Sequence, residues 1–327
     1  MLLLAYFVFG HYACAIAGTD GTIRRLNAAG ALMLVASLVL FVAAPGLGQD
    51  MGDYQGALRG VFVQKNLTAW AFQLALACLG YRFYLERRIG AGFVVRAVVI
   101  VGAIVLTRST TQLLGCAALL GFWAWSGWFR ASRLKALPVW VATCALVIAG
   151  WTLWGLGDEA YRVLGKDPTL TGREAIWELA ERAIAARPWF GWGFQGFWQP
   201  DERAVQEIWA VTGWIAPHAH NGLLELLLET GFVGAALFAL LVGHLVVLVA
   251  RGLARDEALA WWTASWMMLV ALKAHAEPVY LQLDLSTALL SFSTVALGMR
   301  ERERSLQTRA ARASATAWRA GPVASAS

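Results

Sequence analysis

The chain has 327 residues, 59% of them hydrophobic and only 15% charged, with a mean hydropathy of +0.57. That balance excludes an ordinary soluble domain, because apolar stretches long enough to cross a bilayer recur along the whole sequence. The formal net charge of +6 does not argue for a nucleic-acid surface, since the basic residues are scattered through short connections and the tail.

Taken in chain order at ~20 residues per span, apolar segments predict helices near 1–17, 28–44, 67–84, 90–106, 111–129, 138–154, 221–249, 259–273 and 281–299. The expected fold class is all-α: a polytopic transmembrane helical bundle of about nine spans. Six spans fall in 1–154 and three in 218–299, with one large loop over 155–217 between them. Alternate connections carry Arg24 and Arg25, then Arg82, Arg87 and Arg88, then Arg130, Arg133 and Lys135, then Arg251 and Arg255. The positive-inside rule makes these cytoplasmic and the large loop external. Residues 300–327, rich in Ala, Arg and Ser, read as a disordered basic cytoplasmic tail with little to bury. Nine spans ending inside must start outside. Met1 opens on LLLAYFVFG without a charged n-region or cleavage site, so this is no signal peptide, and a chain lacking earlier helices of a longer parent is the favoured reading. Cys14, Cys78, Cys116 and Cys144 lie in apolar segments at unrelated spacings and imply neither a disulfide framework nor a metal site. Arg96, inside the fourth span, reads either as marking a lipid-phosphate path or as facing a neighbouring helix.

A loop of ~60 residues is far longer than a connector needs, so it is expected to be functional and partly folded. Within it, LTGREAIWELAERAIAARP carries Thr171 as N-cap, Glu174 three residues on and Pro188 as terminator, with Ile176, Leu179, Ala180, Ala183 and Ile184 on one face. This predicts an amphipathic helix. Arg173 falls in its first turn, where a cation opposes the helix dipole but helps hold an anion. Arg108 repeats the arrangement between the fourth and fifth spans. Two such arginines on one face suggest a phosphate or diphosphate site outside the membrane. Arg59 and Lys65 in RGVFVQKN are weaker candidates for substrate or lipid-headgroup contact.

His218 and His220 precede the seventh span. A His-x-His pair invites a metal, but it needs a further ligand, and with neither an HExxH motif nor an external cysteine cluster no metal is expected. Asn221 reads as the N-cap of that span, and a helix N-terminus disfavours imidazolium, leaving His220 neutral and able to act as general base. Glu225 and Glu229, one turn apart, are as well explained structurally. Trp192 and Trp198, with Trp189, Trp209 and Trp214, read first as an interfacial aromatic belt and second as sugar-stacking residues.

His220-Asn221, nine residues, Gly231, two residues, Gly234 resembles the H-N-x9-G-x-x-G signature of the O-antigen ligase and polymerase superfamily. TGREAIWELAERAIAARPWFGWGFQGFW resembles the segment that these proteins carry earlier in the same loop, and RGVFVQKNLTA resembles their exopolysaccharide polymerase branch. The resemblance implies a metal-independent glycosyltransferase of the bacterial inner membrane, with its catalytic face periplasmic and no cofactor, whose donor is an undecaprenyl-diphosphate-linked oligosaccharide. It also implies His220 as catalytic base and Arg108 and Arg173 as diphosphate ligands. His218, Arg59, Lys65, Trp192 and Trp198 remain candidate substrate-binding residues, and other polysaccharide assembly and export proteins candidate partners. Polymerisation of lipid-linked repeats is the favoured activity. Transfer of the glycan to a lipid or protein acceptor is the alternative within the class, and a precursor transporter the rival from another class.

Overall fold

A computed structural model describes residues 2–52, 54–86, 89–131, 173–213, 215–282 and 284–320. The predicted span at 138–154 lies outside these residues, as do Thr171, Trp214 and Cys144. The described elements are helices, and an isolated bridge between Gln49 and Leu58 is the nearest approach to a sheet.

Helix α1, Leu2–Ala43, breaks at Gly18 (φ 67, ψ 168) into two arms. Only glycine takes that conformation without strain, and the Thr22 hydroxyl ties the arms by donating to the Ala13 and Gly18 carbonyls. The connection expected between the first two spans is therefore mostly helix. A short α2, Pro45–Gly48, and an irregular segment lead to α3, Lys65–Glu86. Then follow α4, Ala91–Leu106, and α5, Thr110–Ala131. Beyond residue 172 come α6, Arg173–Ala186; α7, Arg203–Thr212; α8, Gly222–Ala254; α9, Ala258–Ala274; and α10, Leu285–Ala320.

α3 is the axis of the bundle, packed by α1, α4, α5 and α9. Its chain from Phe72 to Leu79 is buried almost throughout, as are Trp261, Trp262 and Trp266 of α9. The Trp262 indole N–H reaches the Ala77 carbonyl at 3.0 Å, so this large ring is buried with its polar atom satisfied. Cys14, Cys78 and Cys116 are buried free thiols in the same core, as expected.

Among the described residues, two helices, α1 and α8, are long and apolar enough to cross a membrane, and α4 is apolar but shorter. In α8 the helix breaks at Gly231 (φ 62, ψ −169), leaving a short arm before it and residues 232–254 after it. Those 23 residues match the length a bilayer requires. The expected span from 221 is thereby corrected: its first turns belong to the head described below.

The tail also departs from expectation. α10 continues to Ala320 because Ala, Arg, Glu, Gln and Leu are strong helix formers. Ion pairs anchor the continuation: Glu257, nearly buried in the α8–α9 turn, contacts Arg255, Arg300 and Arg304, and Glu301 pairs with Arg255 at 2.5 Å.

Candidate functional site

Residues 173–230 build a second hydrophobic core, separate from that of the bundle, from Ile176, Ala180, Ala183, Ile184, Phe197, Val205, Ile208, Ala216, Ala219 and Leu228. The amphipathic face predicted for α6 is thus covered by its own neighbours. This head reaches past the boundary expected at residue 217, because Ala219 and Leu228 belong to its core. Glu225 staples it, accepting from the Trp198 indole N–H and the Ala219 backbone N–H, both at 2.8 Å. Glu229 accepts from the Gln195 backbone N–H at 3.1 Å.

The head is fastened to α8 at the Gly231 break. Trp192 and Gly193 donate backbone N–H groups to the Leu228 and Glu229 carbonyls, and Phe232 and Val233 donate theirs to the Pro188 and Trp189 carbonyls, at 2.7–3.1 Å. A Cβ on Gly231 would lie 2.4 Å from the Trp189 carbonyl carbon, and one on Gly191 2.4 Å from the Leu228 carbonyl oxygen. Both glycines also have positive φ, so the two backbones meet where no side chain fits.

Asn221 caps the short arm as expected, accepting from Leu223 and Leu224 at 3.0 and 3.2 Å. His220, immediately before it, has φ 51, a left-handed conformation uncommon for non-glycine residues and often found at functional sites. Its ring lies against that of His218, centroids 4.0 Å apart and the planes tilted by 55°. Both rings face Glu277, from the α9–α10 connection: His218 Nε2 is 3.6 Å and His220 Nδ1 3.9 Å from Glu277 Oε2. Ala276 hydrogen-bonds His220 through its backbone, and Arg173 and Lys273 contribute positive potential to the cluster. His275 feels Arg173 too, and its ring lies 6.3 Å from that of Trp177, whose indole N–H bonds the Ala219 carbonyl.

Burial first, then Arg173 and Lys273, push the His218 pKa down to about 4. Burial, then His218 and Arg173, push that of His220 down to about 3. Burial pushes the Glu277 carboxyl up, against the opposing pull of Lys273 and Arg173. Both imidazoles are therefore neutral near pH 7, and their approach to Glu277 is not an ion pair. This neutrality was expected for His220 from a helix N-terminus, but burial is its largest cause.

His218, His220 and Glu277 each offer a ligand atom within 4.8 Å of the others. The missing third ligand on which the sequence argument against a metal rested is thus present. The hydrogen bonds argue differently: His218 Nδ1 accepts from the His220 backbone N–H at 3.2 Å, which puts the proton of neutral His218 on Nε2, the atom turned to Glu277. A metal would need that lone pair free, and Arg173 and Lys273 favour an anion beside the cluster. Glu277, Lys273 and His275 escaped the sequence reading because α8 and all or nearly all of α9 separate them in sequence from the histidines.

The second predicted arginine lies in another group. Arg108, at φ 53, donates to the Gln55 carbonyl at 3.1 Å, and its own carbonyl accepts from Lys65 Nζ at 3.3 Å. Lys65 also sits 3.2 Å over the Tyr54 ring. No contact among the described residues joins Arg108 to His220 or Arg173. The two groups nevertheless share one end of the bundle: Lys273 lies 4.4 Å over the Trp70 ring, five residues or ~7.5 Å along α3 from Lys65.

Other candidates are engaged structurally. Arg59 donates through Nε and Nη2 to the Leu47 carbonyl. Trp192 bonds the Ala183 carbonyl and has Arg187 stacked 3.9 Å over its ring, and Trp198 is committed to Glu225. Among the described residues of this loop, the exposed aromatic side chains are Trp189, Phe190 and Phe194.

An apolar helical bundle with a folded head, carrying a neutral histidine pair, a half-buried carboxylate and basic side chains at one end, fits a membrane-associated protein. Residues 95–239 match the O-antigen ligase family. The exopolysaccharide production protein ExoQ of Rhizobium meliloti (strain 1021) is 30% identical over 105 residues, 31% of this chain and 23% of that protein. Both matches are partial, likening one segment of this chain to the O-antigen ligase family and a 105-residue stretch to an exopolysaccharide production protein. The match therefore spans about a quarter of ExoQ. Arg108, Arg173 and His220 lie within the family segment, and Glu277 beyond it.

Proposed function

We propose that the protein is a glycosyltransferase of the bacterial inner membrane that joins lipid-diphosphate-linked oligosaccharide repeats. The observation that carries this reading is the grouping of Arg173, His218, His220 and Glu277 in a head docked on a membrane-length helix, within and beside the segment matching the O-antigen ligase family. The positive-inside rule, applied to Arg24, Arg82, Arg130 and Arg251, supports a periplasmic head.

In the reaction, the bond between the donor's anomeric carbon and its diphosphate oxygen breaks as an acceptor sugar hydroxyl attacks from the opposite face. The configuration inverts. His220 takes the hydroxyl proton and returns it to solvent. Arg173, with Arg108 or Lys273, meets the charge that develops on the leaving lipid diphosphate. A base held near pKa 3 is weak in the empty site; the negative charge of the donor raises it on binding, so basicity appears when substrate is present. Glu277 orients the imidazoles. No metal takes part, for the tautomeric reason given above.

Extension of one lipid-linked repeat by another is favoured over transfer to a separate acceptor by the likeness to an exopolysaccharide production protein. The test supplies purified protein with lipid-diphosphate oligosaccharide as the sole substrate. Longer lipid-linked chains are expected from the wild type and none from His220→Ala. Arg173→Lys, which keeps charge but loses the two-pronged guanidinium, is expected to lose at least ~10-fold in rate, about 1.4 kcal/mol. Product from His220→Ala at the wild-type rate would sink the assignment, and product only when a second, unlinked acceptor is added would make the enzyme a ligase.

A further inference from the structure

At the end of the bundle opposite the histidine cluster, a groove of about 560 Å³ runs between the second arm of α1, α3 and α4. Its walls are apolar: Ala31, Leu34, Ala75 and Ile100 line it, and Val35, Val95 and Val99 stand exposed along its open side. Its mouth is basic. Arg24, Arg82 and Arg96 gather there with Asp20 and Glu86.

The charges do not balance. Glu86 is engaged by Arg82, with Nη2–Oε1 2.7 Å. Asp20 accepts from the Tyr81 hydroxyl at 2.5 Å and faces Arg300 at 3.7 Å. Arg24 and Arg96 have neither hydrogen bond nor ion pair among the described residues, so two guanidiniums are left uncompensated at the head of an apolar trough. An arginine inside an apolar helix is costly unless something pairs it, and Arg96 lies in the second turn of the most apolar short helix of the bundle. From Arg24 to Val35, or from Ala75 to Glu86, is eleven residues of helix, about 16 Å. That is close to one leaflet of a hydrocarbon core ~30 Å thick.

We propose that this groove is a binding site for one anionic phospholipid, its phosphate held by Arg24 and Arg96 and an acyl chain lying along the Ala31–Val35 wall. The uncompensated pair calls for an anion, the apolar walls call for a chain attached to it, and the groove's length calls for a chain one leaflet deep. A basic pocket between helices at the arginine-rich end of a membrane protein faces the leaflet where anionic lipids concentrate. The site is separate from the proposed transfer chemistry and stands or falls independently of it.

Native mass spectrometry of the full chain, delipidated in detergent, tests this with four probes: phosphatidylglycerol, phosphatidylcholine of the same acyl chains, inorganic phosphate and undecaprenyl phosphate. Wild-type protein is expected to retain one phosphatidylglycerol with at least tenfold preference over phosphatidylcholine, undisturbed by millimolar phosphate. Arg24→Gln with Arg96→Gln should erase the preference, and Ala31→Trp, which fills the trough and leaves the charge, should erase retention. Equal retention of the two phospholipids, displacement by inorganic phosphate, or stronger retention of the prenyl phosphate would each overturn the proposal. All three are read on the wild type, so misfolding of a variant cannot protect it.

Discussion

His220 shares with Arg108 an unusual property: both are non-glycine residues held at positive φ, 51 and 53. Each bend is followed by a helix, and the strain fixes where the side chain leaves the backbone. For His220 the direction is toward Glu277, which the proposed mechanism makes a positioning residue. Glu277→Gln keeps the shape and removes the charge; a fall of roughly 10²-fold or more in turnover is expected, with a smaller change in donor binding. An unchanged turnover would remove Glu277 from the mechanism. A chelator should leave activity intact, and loss of activity restored by one divalent ion would revive the metal reading. A second expectation concerns acid. The histidines take up protons near 6.5 in the unfolded chain but only near 4 and 3 in the folded one. Between those limits the unfolded state binds more protons, so stability falls as pH drops from about 6.5 toward 4. Glu277, raised by burial, works the other way, as one group against two. Tryptophan-fluorescence melts of the head should move to lower temperature from pH 7 to pH 5, and His218→Gln with His220→Gln should flatten that slope.

Among the elements, the short arm of α8 shows what local sequence could and could not reveal. Asn221 announced its cap, because a cap is a relation among four neighbouring residues. Gly231, which the sequence offered as one glycine of the H-N-x9-G-x-x-G pattern, is the point at which the helix stops being one. The cause lies forty residues earlier, in the Trp189–Gly191 backbone that occupies the space a side chain would need. Gly231→Ala should therefore cost more than the roughly 1–2 kcal/mol of a left-handed alanine, since the new methyl also meets backbone that cannot turn aside. Limited proteolysis should cut faster between residues 187 and 193 in that variant, and unchanged protection would show that the head is held elsewhere. The tail of α10 was misread for a similar reason: its composition offers little to bury, but Glu301 and Arg304 find partners on the α8–α9 turn.

For the molecule as a whole, composition announced a helical membrane protein, because hydropathy is summed over tens of residues and needs no knowledge of contacts. The assembly of the site was less legible. Arg173 and His220 were found through their helix starts, and the Arg173 charge acts on the His220 imidazole. Arg108 was placed with them by topology alone, and its side chain is engaged by the segment around Gln55. Trp192 and Trp198 proved to be pegs of the head, which no spacing rule distinguishes from a sugar platform. The two-sided arrangement has a direct check: Phe190→Cys on the head and Ser314→Cys on α10, both at exposed positions, should be labelled by an impermeant thiol reagent from opposite sides of the membrane. Labelling from the same side would refute the proposed orientation.

The fastening at Gly231 also bears on how the protein is made. The membrane-length part of α8 opens on Gly231, Phe232 and Val233, none of which can cap a helix with its side chain. The first N–H groups of Phe232 and Val233 are instead received by the Pro188 and Trp189 carbonyls, so the helix depends on acceptors from a distant segment. Synthesis runs from the N-terminus, and the lender is translated about forty residues before the borrower. When this helix leaves the ribosome, the polypeptide that will close its open end has already been made.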